Sequence, residues 1–152
     1  MRISFDLDDT IIPGRIVFET ESQNIIHALL GLEKIRKDTI KLFRELKNRN
    51  HQIGIYTTSF RSKRKIKLTF LFHGFWVDFV INQQQHSREL RHKDIKPSKY
   101  PPLFHIDLHI DDSRGVGLEA EKYNFQTIIL GERETDWANN ILYQIDNLSR
   151  NK

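Results

Sequence analysis

The sequence contains no cysteine among its 152 residues. This absence excludes disulfide bonds, thiolate metal ligands and cysteine nucleophiles, and it is compatible with a reducing compartment. No stretch approaches the roughly 18 consecutive apolar residues of a membrane-spanning helix. The chain also opens on a strand-like segment, not on a basic region followed by an apolar run, which argues against a secretory signal. We therefore expect a cytoplasmic protein without a membrane segment.

The composition is that of an ordinary globular protein, with 38% hydrophobic and 29% charged residues. A chain of this length fits one domain, spanning residues 1–152, that buries roughly two-thirds of its unfolded surface around a single core. No internal repeat or low-complexity tract divides it. The sequence thus predicts one compact folding unit.

The net charge is +4, and the basic residues cluster in the run "RSKRKIK" from Arg61 to Lys67 and again from Arg88 to Lys99. Such patches attract phosphates or nucleic acid. A basic run on a helix is, however, more often a solvated face. Nucleic acid is therefore left open as a partner with weak support.

Apolar segments of strand type alternate along the chain with segments of helical periodicity. Segments that predict strands are 2–7, 51–59, 76–81, 104–113 and 126–130. Segments that predict helices are 22–30, 33–49, 60–72, 117–124 and 135–149, while 82–102 is expected to be a long loop with at most one helical turn. This alternation predicts an α/β, Rossmann-like three-layer sandwich with a mostly parallel sheet of about five strands and helices on both faces.

A Pro-Gly pair, Pro13 and Gly14, follows the first predicted strand within the stretch "TIIPGRIVFETE". Pro-Gly between β-branched and aromatic residues favours a turn, so we expect a small β-hairpin flap at about residues 11–21.

Polar side chains end three of the predicted strands: Asp6 and Asp8, then Thr57 and Thr58, then Asp111 and Asp112. In open parallel sheets, ligands bind outside the carboxyl ends of the strands. If these ends converge, several carboxylates lie close together beside hydroxyl groups and repel one another. A hard divalent cation such as Mg²⁺ would neutralise this repulsion.

The pattern resembles the haloacid dehalogenase superfamily, whose first motif is an apolar strand followed by Asp-x-Asp-x-Thr/Val. "ISFDLDDT" matches it, with Asp6, Asp8 and Thr10 in register. "IGIYT" matches the second motif, an apolar strand that ends in Thr or Ser. An acid two residues after the nucleophile is typical of the phosphatases of the superfamily and not of its dehalogenases.

The third motif of the superfamily is a lysine, which "KYPP" supplies at Lys99, with Lys96 of "KP" as a competitor. The fourth is a strand ending in paired acids, which "LHIDD" supplies at Asp111 and Asp112. Many members carry a further acid about four positions later, where this chain has Gly115 and Val116.

The resemblance implies a Mg²⁺-dependent phosphohydrolase in which Asp6 is the nucleophile and Asp8 the general acid and base. It implies Mg²⁺ held by Asp6, by the backbone carbonyl of Asp8 and by Asp111 or Asp112, with Asp112 favoured. It also implies phosphate contacts from Lys99 and from Thr57, with Thr58 beside it.

The superfamily chooses substrates largely through cap insertions, but only 46 residues separate Thr10 from Thr57. The flap and the long helix need most of these residues, so no full cap domain is expected. A nearly capless member resembles those that act on macromolecules or that borrow a lid from a second subunit. We expect a phosphorylated substrate, small or macromolecular, and leave the oligomeric state open.

Two other classes compete with the enzyme. A non-catalytic binding protein could keep this fold, although every catalytic side-chain type is present. A phospho-accepting receiver domain would place its aspartate at the end of the third strand, where this chain has Asn82.

Four further polar residues near the first and fourth motifs are expected to have no role in the site. Asp9 is expected to stabilise the flap turn. His105, Asp107 and His109 alternate along the fourth strand, and we interpret them as partly exposed polar groups in preference to a metal site.

Overall fold

A five-stranded, all-parallel sheet forms the centre of the molecule, in the order β3-β2-β1-β4-β5. The computed structural model describes residues 1–131 and 134–150. The strands are β1 (Arg2–Phe5), β2 (Gln52–Tyr56), β3 (Phe79–Ile81), β4 (Leu108–Asp111) and β5 (Thr127–Ile129). The predicted α/β class and the strand count are confirmed.

Within the part of the chain that the structure describes, six helices flank the sheet in a three-layer α/β sandwich. They are α1 (Ile25–Leu29), α2 (Thr39–Asn48), α3 (Lys63–Phe72), α4 (Gln83–Leu90), α5 (Arg114–Tyr123) and α6 (Trp137–Arg150), and a 3₁₀ turn covers Pro101–Phe104. Among the helices of the described residues, none has the length and apolar character needed to cross a lipid bilayer.

The core is built on the central strand β1, whose Ile3 and Phe5 are fully buried. The Phe5 ring lies 4.7 Å from the ring of Phe43 on α2, and Phe43 stacks in turn on Phe70 of α3 at 5.6 Å. The polar residue Ser4 of the same strand is buried as well. A parallel sheet covered by helices leaves no face of its central strands in water.

The register of the sheet brings the ends of β1 and β4 side by side. Phe5 pairs with Ile110, and the backbone amide of Asp6 donates to the Ile110 carbonyl at 2.8 Å. The chain winds from β1 through β2 to β3 on one side and then crosses to β4 and β5 on the other. The carboxyl ends of β1 and β4 therefore flank the point where the winding reverses, which is the preferred ligand position in such sheets.

Several predicted elements differ from the structure in their bounds or their type, and two of them have a clear physical reason. The helix predicted over 33–49 begins only at Thr39, because Asp38 adopts a left-handed conformation with φ 67°. The segment 82–102, predicted to be a loop, contains α4, whose first turn is capped by Asn82 accepting from the Gln85 amide at 3.2 Å. Glutamines without apolar periodicity carry no hydrophobic signal for that helix.

The hairpin predicted at residues 11–21 is also wrong, since this segment contains isolated bridges instead of paired strands. Ile11 and Ile12 are buried, and both backbone amides donate to the Leu7 carbonyl, at 2.9 and 2.7 Å. The side chains of Ile11 and Ile12 thus pack into the core, and their backbone amides close a tight turn. These amides are not available for the ladder of hydrogen bonds that a β-hairpin needs.

Candidate active site

Three carboxylates meet where β1 and β4 end. Asp6 follows β1, Asp111 is the last residue of β4, and Asp112 comes next. One oxygen from each of the three lies within 4.8 Å of the others. They line a cavity of about 250 Å³ together with Asp8, Thr58 and Lys99. The structure thus brings most of the predicted site residues to one place.

Lys99 supplies the positive charge inside this cluster, and it is only 2% exposed. Its amine donates to the Asp6 carboxylate and to the Tyr56 carbonyl, the latter at 2.9 Å, and lies 3.5 Å from Asp111 Oδ2. Lys96 is exposed. Of the two candidate lysines, Lys99 is therefore the one that lies in the site.

The backbone around Lys99 is held from both sides. The amides of Ser98 and Lys99 donate to the Glu119 carboxylate at 2.7 and 3.0 Å, and the Tyr100 amide donates to the Tyr56 hydroxyl at 2.8 Å. These contacts point the lysine inward, and they involve residues that the sequence did not single out.

The surroundings of Asp6 and Asp111 shift the pKa values of these two acids in opposite directions. Burial raises the pKa of Asp6 to about 7, and the neighbouring charges of Asp111 and Asp112 act in the same direction, against the attraction of Lys99. Burial also acts to raise the pKa of Asp111, but the hydrogen bond from His109 and the charge of Lys99 outweigh it and lower that pKa to about 2. Asp111 is thus the acid that stays ionised most firmly.

His109 lies beneath the cluster and is fully buried. One ring nitrogen lies 3.0 Å from Asp111 Oδ2, and the other lies 2.8 Å from the Ser4 hydroxyl. Burial lowers the pKa of His109, so the ring is assigned as neutral, donating to Asp111 and accepting from Ser4. His109 therefore orients Asp111.

The interpretation as partly exposed polar groups holds for His105 and Asp107, which are exposed, and is wrong for His109, which is buried. His105 precedes β4 in a left-handed conformation, and Asp107 is exposed and accepts from the Arg2 amide at 2.6 Å. Only His109 is a strand residue, and the helices covering both faces bury it.

Asp112 is half-buried and accepts a hydrogen bond from the Thr10 hydroxyl at 2.9 Å. Burial and the nearby charge of Asp111 raise the pKa of Asp112, and the Thr10 bond opposes them. Thr10, the last residue of the first sequence motif, thus joins that motif to the fourth.

Asp8 is the most exposed of the predicted catalytic acids, with 46% of its side chain accessible. Its Oδ2 accepts from Arg61 Nη1 at 2.8 Å. Arg61 lies in the basic run after β2, and nothing in its sequence context marked it as a partner of Asp8.

The two threonines after β2 occupy different positions. Thr57 is buried, and its hydroxyl accepts from the Ser59 amide at 3.1 Å, which shapes the turn. Thr58 is exposed and lines the cavity. Thr57 is not among the residues that line the cavity.

Asp9 stabilises the turn that follows it, as predicted, although no hairpin flap forms there. It has a left-handed φ of 62°, and its carboxylate accepts from the Ile16 amide at 3.0 Å and from Arg15 Nε at 3.1 Å. It lies outside the group of three carboxylates that converge.

The donor set fits a hard divalent cation. The converging atoms are carboxylate oxygens, the ligands that Mg²⁺ prefers, and their mutual distances allow one ion to contact all three groups. A larger cavity of about 770 Å³ lies away from them, between α2 and the start of α6, and holds none of the strand-end acids.

Comparisons of the chain with protein-family models, with curated proteins and with solved structures gave no significant match.

Proposed function

We propose that this protein is a Mg²⁺-dependent phosphohydrolase that works through an aspartyl-phosphate, as in the haloacid dehalogenase superfamily that its motifs resemble. The observation that carries the proposal is the buried contact between Asp6 and Lys99, with Asp111 and Asp112 beside it and Asp8 at the rim of the same cavity. A nucleophilic carboxylate, a fixed cation and a second acid are the groups that this chemistry needs.

In the first step, Asp6 attacks phosphorus, and the bond from phosphorus to the ester oxygen breaks. Asp8 donates a proton to the departing oxygen, so the leaving group departs as a neutral alcohol. In the second step, Asp8 takes a proton from water, which attacks the aspartyl-phosphate and releases phosphate. Asp6 is regenerated as a carboxylate.

Lys99 and the Thr58 hydroxyl would contact the phosphoryl oxygens. Lys99 already donates to Asp6, and its charge favours the ionised nucleophile against the burial that raises the pKa of Asp6. Thr58 lines the cavity directly, whereas Thr57 shapes the turn that presents it.

Mg²⁺ would be held by Asp6 and Asp112, with Asp111 close by, and would supply neutralisation of the phosphoryl charge. Asp112 is the better direct ligand of the pair. Asp111 already accepts from His109 and from the Ser113 amide at 2.9 Å, whereas among the described residues Asp112 accepts one side-chain hydrogen bond, from Thr10.

The test is hydrolysis of 4-nitrophenyl phosphate with Mg²⁺, comparing the wild type with Asp6→Asn. We expect loss of at least about 10³-fold, the scale seen when a nucleophile is removed. Asp94→Asn, a change of the same type at an exposed acid, is the matched control and should keep full activity. Equal rates for wild type and Asp6→Asn would favour the alternative, a non-catalytic binding protein.

The natural substrate is proposed only by class, as a phosphate ester. A screen of phosphorylated metabolites, nucleotides, phosphopeptides and nucleic-acid ends, each with Mg²⁺, would identify it. Hydrolysis of nucleic-acid ends above all others would give the basic run at Arg61–Lys67 a direct role.

A further inference from the structure

The guanidinium group of Arg61 joins two carboxylates that lie far apart in the sequence. Arg61 Nη1 donates to Asp8 Oδ2 at 2.8 Å, and Arg61 Nε donates to Glu33 Oε1 at 2.8 Å. Nη1 also lies 2.8 Å from the Ser59 hydroxyl. The planar fork of arginine can hold several acceptors at fixed angles, which a lysine amine cannot do in the same way.

The position of Arg61 separates it from the reacting atoms. Its side chain is 24% exposed and that of Glu33 is 22% exposed, so both are more buried than Asp8. Asp8 lines the cavity with Asp6, whereas Arg61 and Glu33 do not. Arg61 therefore reaches the cavity only through the Asp8 carboxylate.

The backbone of Arg61 is itself fixed. Its amide donates to the Ser59 hydroxyl at 3.1 Å, and its carbonyl accepts from the Asn82 side chain at 3.1 Å. Asn82 is buried and caps α4. The guanidinium thus projects from a turn that is anchored to a neighbouring helix.

We propose that Arg61 is a positioning residue, which holds the protonated carboxyl group of Asp8 through Oδ2, so that the other oxygen carries the proton toward the leaving group. Glu33 fixes the guanidinium from the other side. The proposal rests on the phosphohydrolase function proposed above. Asp8 is half-exposed, so without a partner its side chain would sample several rotamers, and only a fraction of them would place a proton near the ester oxygen. Contact with Arg61 at one oxygen leaves the other oxygen available to the substrate.

This role predicts a dependence on the leaving group that a general structural role would not produce. Departure of 4-nitrophenolate needs little protonation, whereas departure of a more basic phenolate needs a proton from Asp8. Because general acid catalysis contributes roughly 10²–10⁴-fold, losing the orientation of Asp8 should matter most for the basic leaving groups.

The experiment measures kcat/KM with Mg²⁺ for aryl phosphates of increasing leaving-group pKa, from 4-nitrophenyl to phenyl to 4-methoxyphenyl phosphate. For Arg61→Gln we expect a fall of less than about 3-fold on 4-nitrophenyl phosphate and of about 30-fold or more on 4-methoxyphenyl phosphate. The plot of log kcat/KM against leaving-group pKa should steepen toward that of Asp8→Asn. Arg64→Gln, the same change at an exposed arginine of α3, should keep the wild-type slope.

A thermodynamic cycle adds a second readout. In the Asp8→Asn background, Arg61→Gln should cause no further loss on 4-methoxyphenyl phosphate, because the group that it orients is gone. Glu33→Gln should steepen the slope less than Arg61→Gln does. It also serves as the test should circular dichroism show that Arg61→Gln does not fold.

Three results would overturn the proposal. The first is a wild-type slope in Arg61→Gln or, where that variant does not fold, in Glu33→Gln. The second is an equal loss of kcat/KM on every aryl phosphate, which would indicate that Arg61 binds phosphate. The third is additive losses of Arg61→Gln and Asp8→Asn in the cycle. Failure of the phosphohydrolase function has a different signature, namely equal rates for the wild type and Asp6→Asn, the absence of hydrolysis by both included.

Discussion

The amine of Lys99 and the carboxylate of Asp6 form a hydrogen-bonded ion pair that is almost completely removed from water, with 2% and 7% of the two residues exposed. Removing two charges from water is costly, and the attraction between them offsets that cost only while both partners are present. Asp111, 3.5 Å from the same amine, makes the lysine still harder to replace.

Lys99→Met should therefore destabilise the protein and abolish its proposed activity. Methionine keeps much of the length of the side chain but leaves two buried carboxylates without their cation, so we expect a loss of about 3 kcal/mol in the free energy of unfolding. Urea denaturation at pH 7 without Mg²⁺ measures this. Lys96→Met, at the exposed neighbouring lysine, should change stability by less than about 0.5 kcal/mol. Similar effects of the two substitutions would contradict the assignment of Lys99.

Asp6→Asn should become more stabilising, relative to the wild type, as pH rises. Burial raises the pKa of Asp6 from 3.8 to about 7 in the folded state. The folded protein therefore holds a proton that the unfolded chain releases. The resulting stabilisation is fully present below about pH 4 and is lost as pH rises through 7.

Asparagine has no such titration. The difference in the free energy of unfolding between Asp6→Asn and the wild type should grow in favour of the variant from pH 4 to pH 8, with a slope of up to about 1.4 kcal/mol per pH unit. Urea denaturation at each pH in EDTA measures it, and Asp94→Asn, the same change at an exposed acid, is the matched control. If the difference in the free energy of unfolding stayed constant across this range, the pKa of Asp6 would not be raised in the folded state.

The sequence predicts the acids of the site well because each of them directly ends an apolar strand. In a parallel sheet, the carboxyl ends of neighbouring strands lie at the same edge. A parallel sheet therefore predicts that Asp6 and Asp111 lie close together. Spacing alone did not distinguish Lys99 from Lys96. That choice depends on tertiary contacts of the loop, above all those of Glu119 and Tyr56.

Arg61 and His109 escaped sequence analysis for different physical reasons. Arg61 belongs to a basic run that has the composition of a solvated helix face, and its partner Glu33 lies 28 positions away. His109 alternates with other polar residues, a pattern typical of a half-exposed strand. Helices on both sides of the sheet bury every residue of β4 regardless of that alternation.

His109→Leu should destabilise the protein even though leucine fits a buried strand. The substitution removes the hydrogen bonds to Asp111 and to the Ser4 hydroxyl, which lie 3.0 and 2.8 Å from the ring. Buried polar groups left without partners cost roughly 1–3 kcal/mol each, so we expect a loss of about 3 kcal/mol in the free energy of unfolding.

A matched second substitution separates lost hydrogen bonds from altered packing. Ser4→Ala in the His109→Leu background should restore about 1 kcal/mol, because it removes one of the two orphaned groups. Ser4→Ala alone should destabilise the protein. Guanidinium denaturation of the four proteins measures the cycle, and strictly additive effects would contradict a hydrogen bond between Ser4 and His109.

Gly54 should tolerate no side chain while Phe79 keeps its present position. Gly54 of β2 pairs with Phe79 of β3, and a Cβ added at Gly54 would lie 2.5 Å from two carbons of the Phe79 ring. The guanidinium of Arg2 covers that ring at 3.7 Å from its centroid. Gly54→Ala therefore forces the ring to move, and we expect a loss of about 2 kcal/mol in the free energy of unfolding.

Phe79→Val should rescue Gly54→Ala, because valine leaves room for the new methyl group and retains a β-branched side chain suited to a strand. The double variant should be more stable than Gly54→Ala by about 1 kcal/mol, although Phe79→Val alone lowers stability by removing the ring under Arg2. Urea denaturation of the two single variants and the double variant decides the matter. If Phe79→Val instead destabilised the Gly54→Ala protein as much as it destabilises the wild type, the ring would not be what excludes a side chain at Gly54.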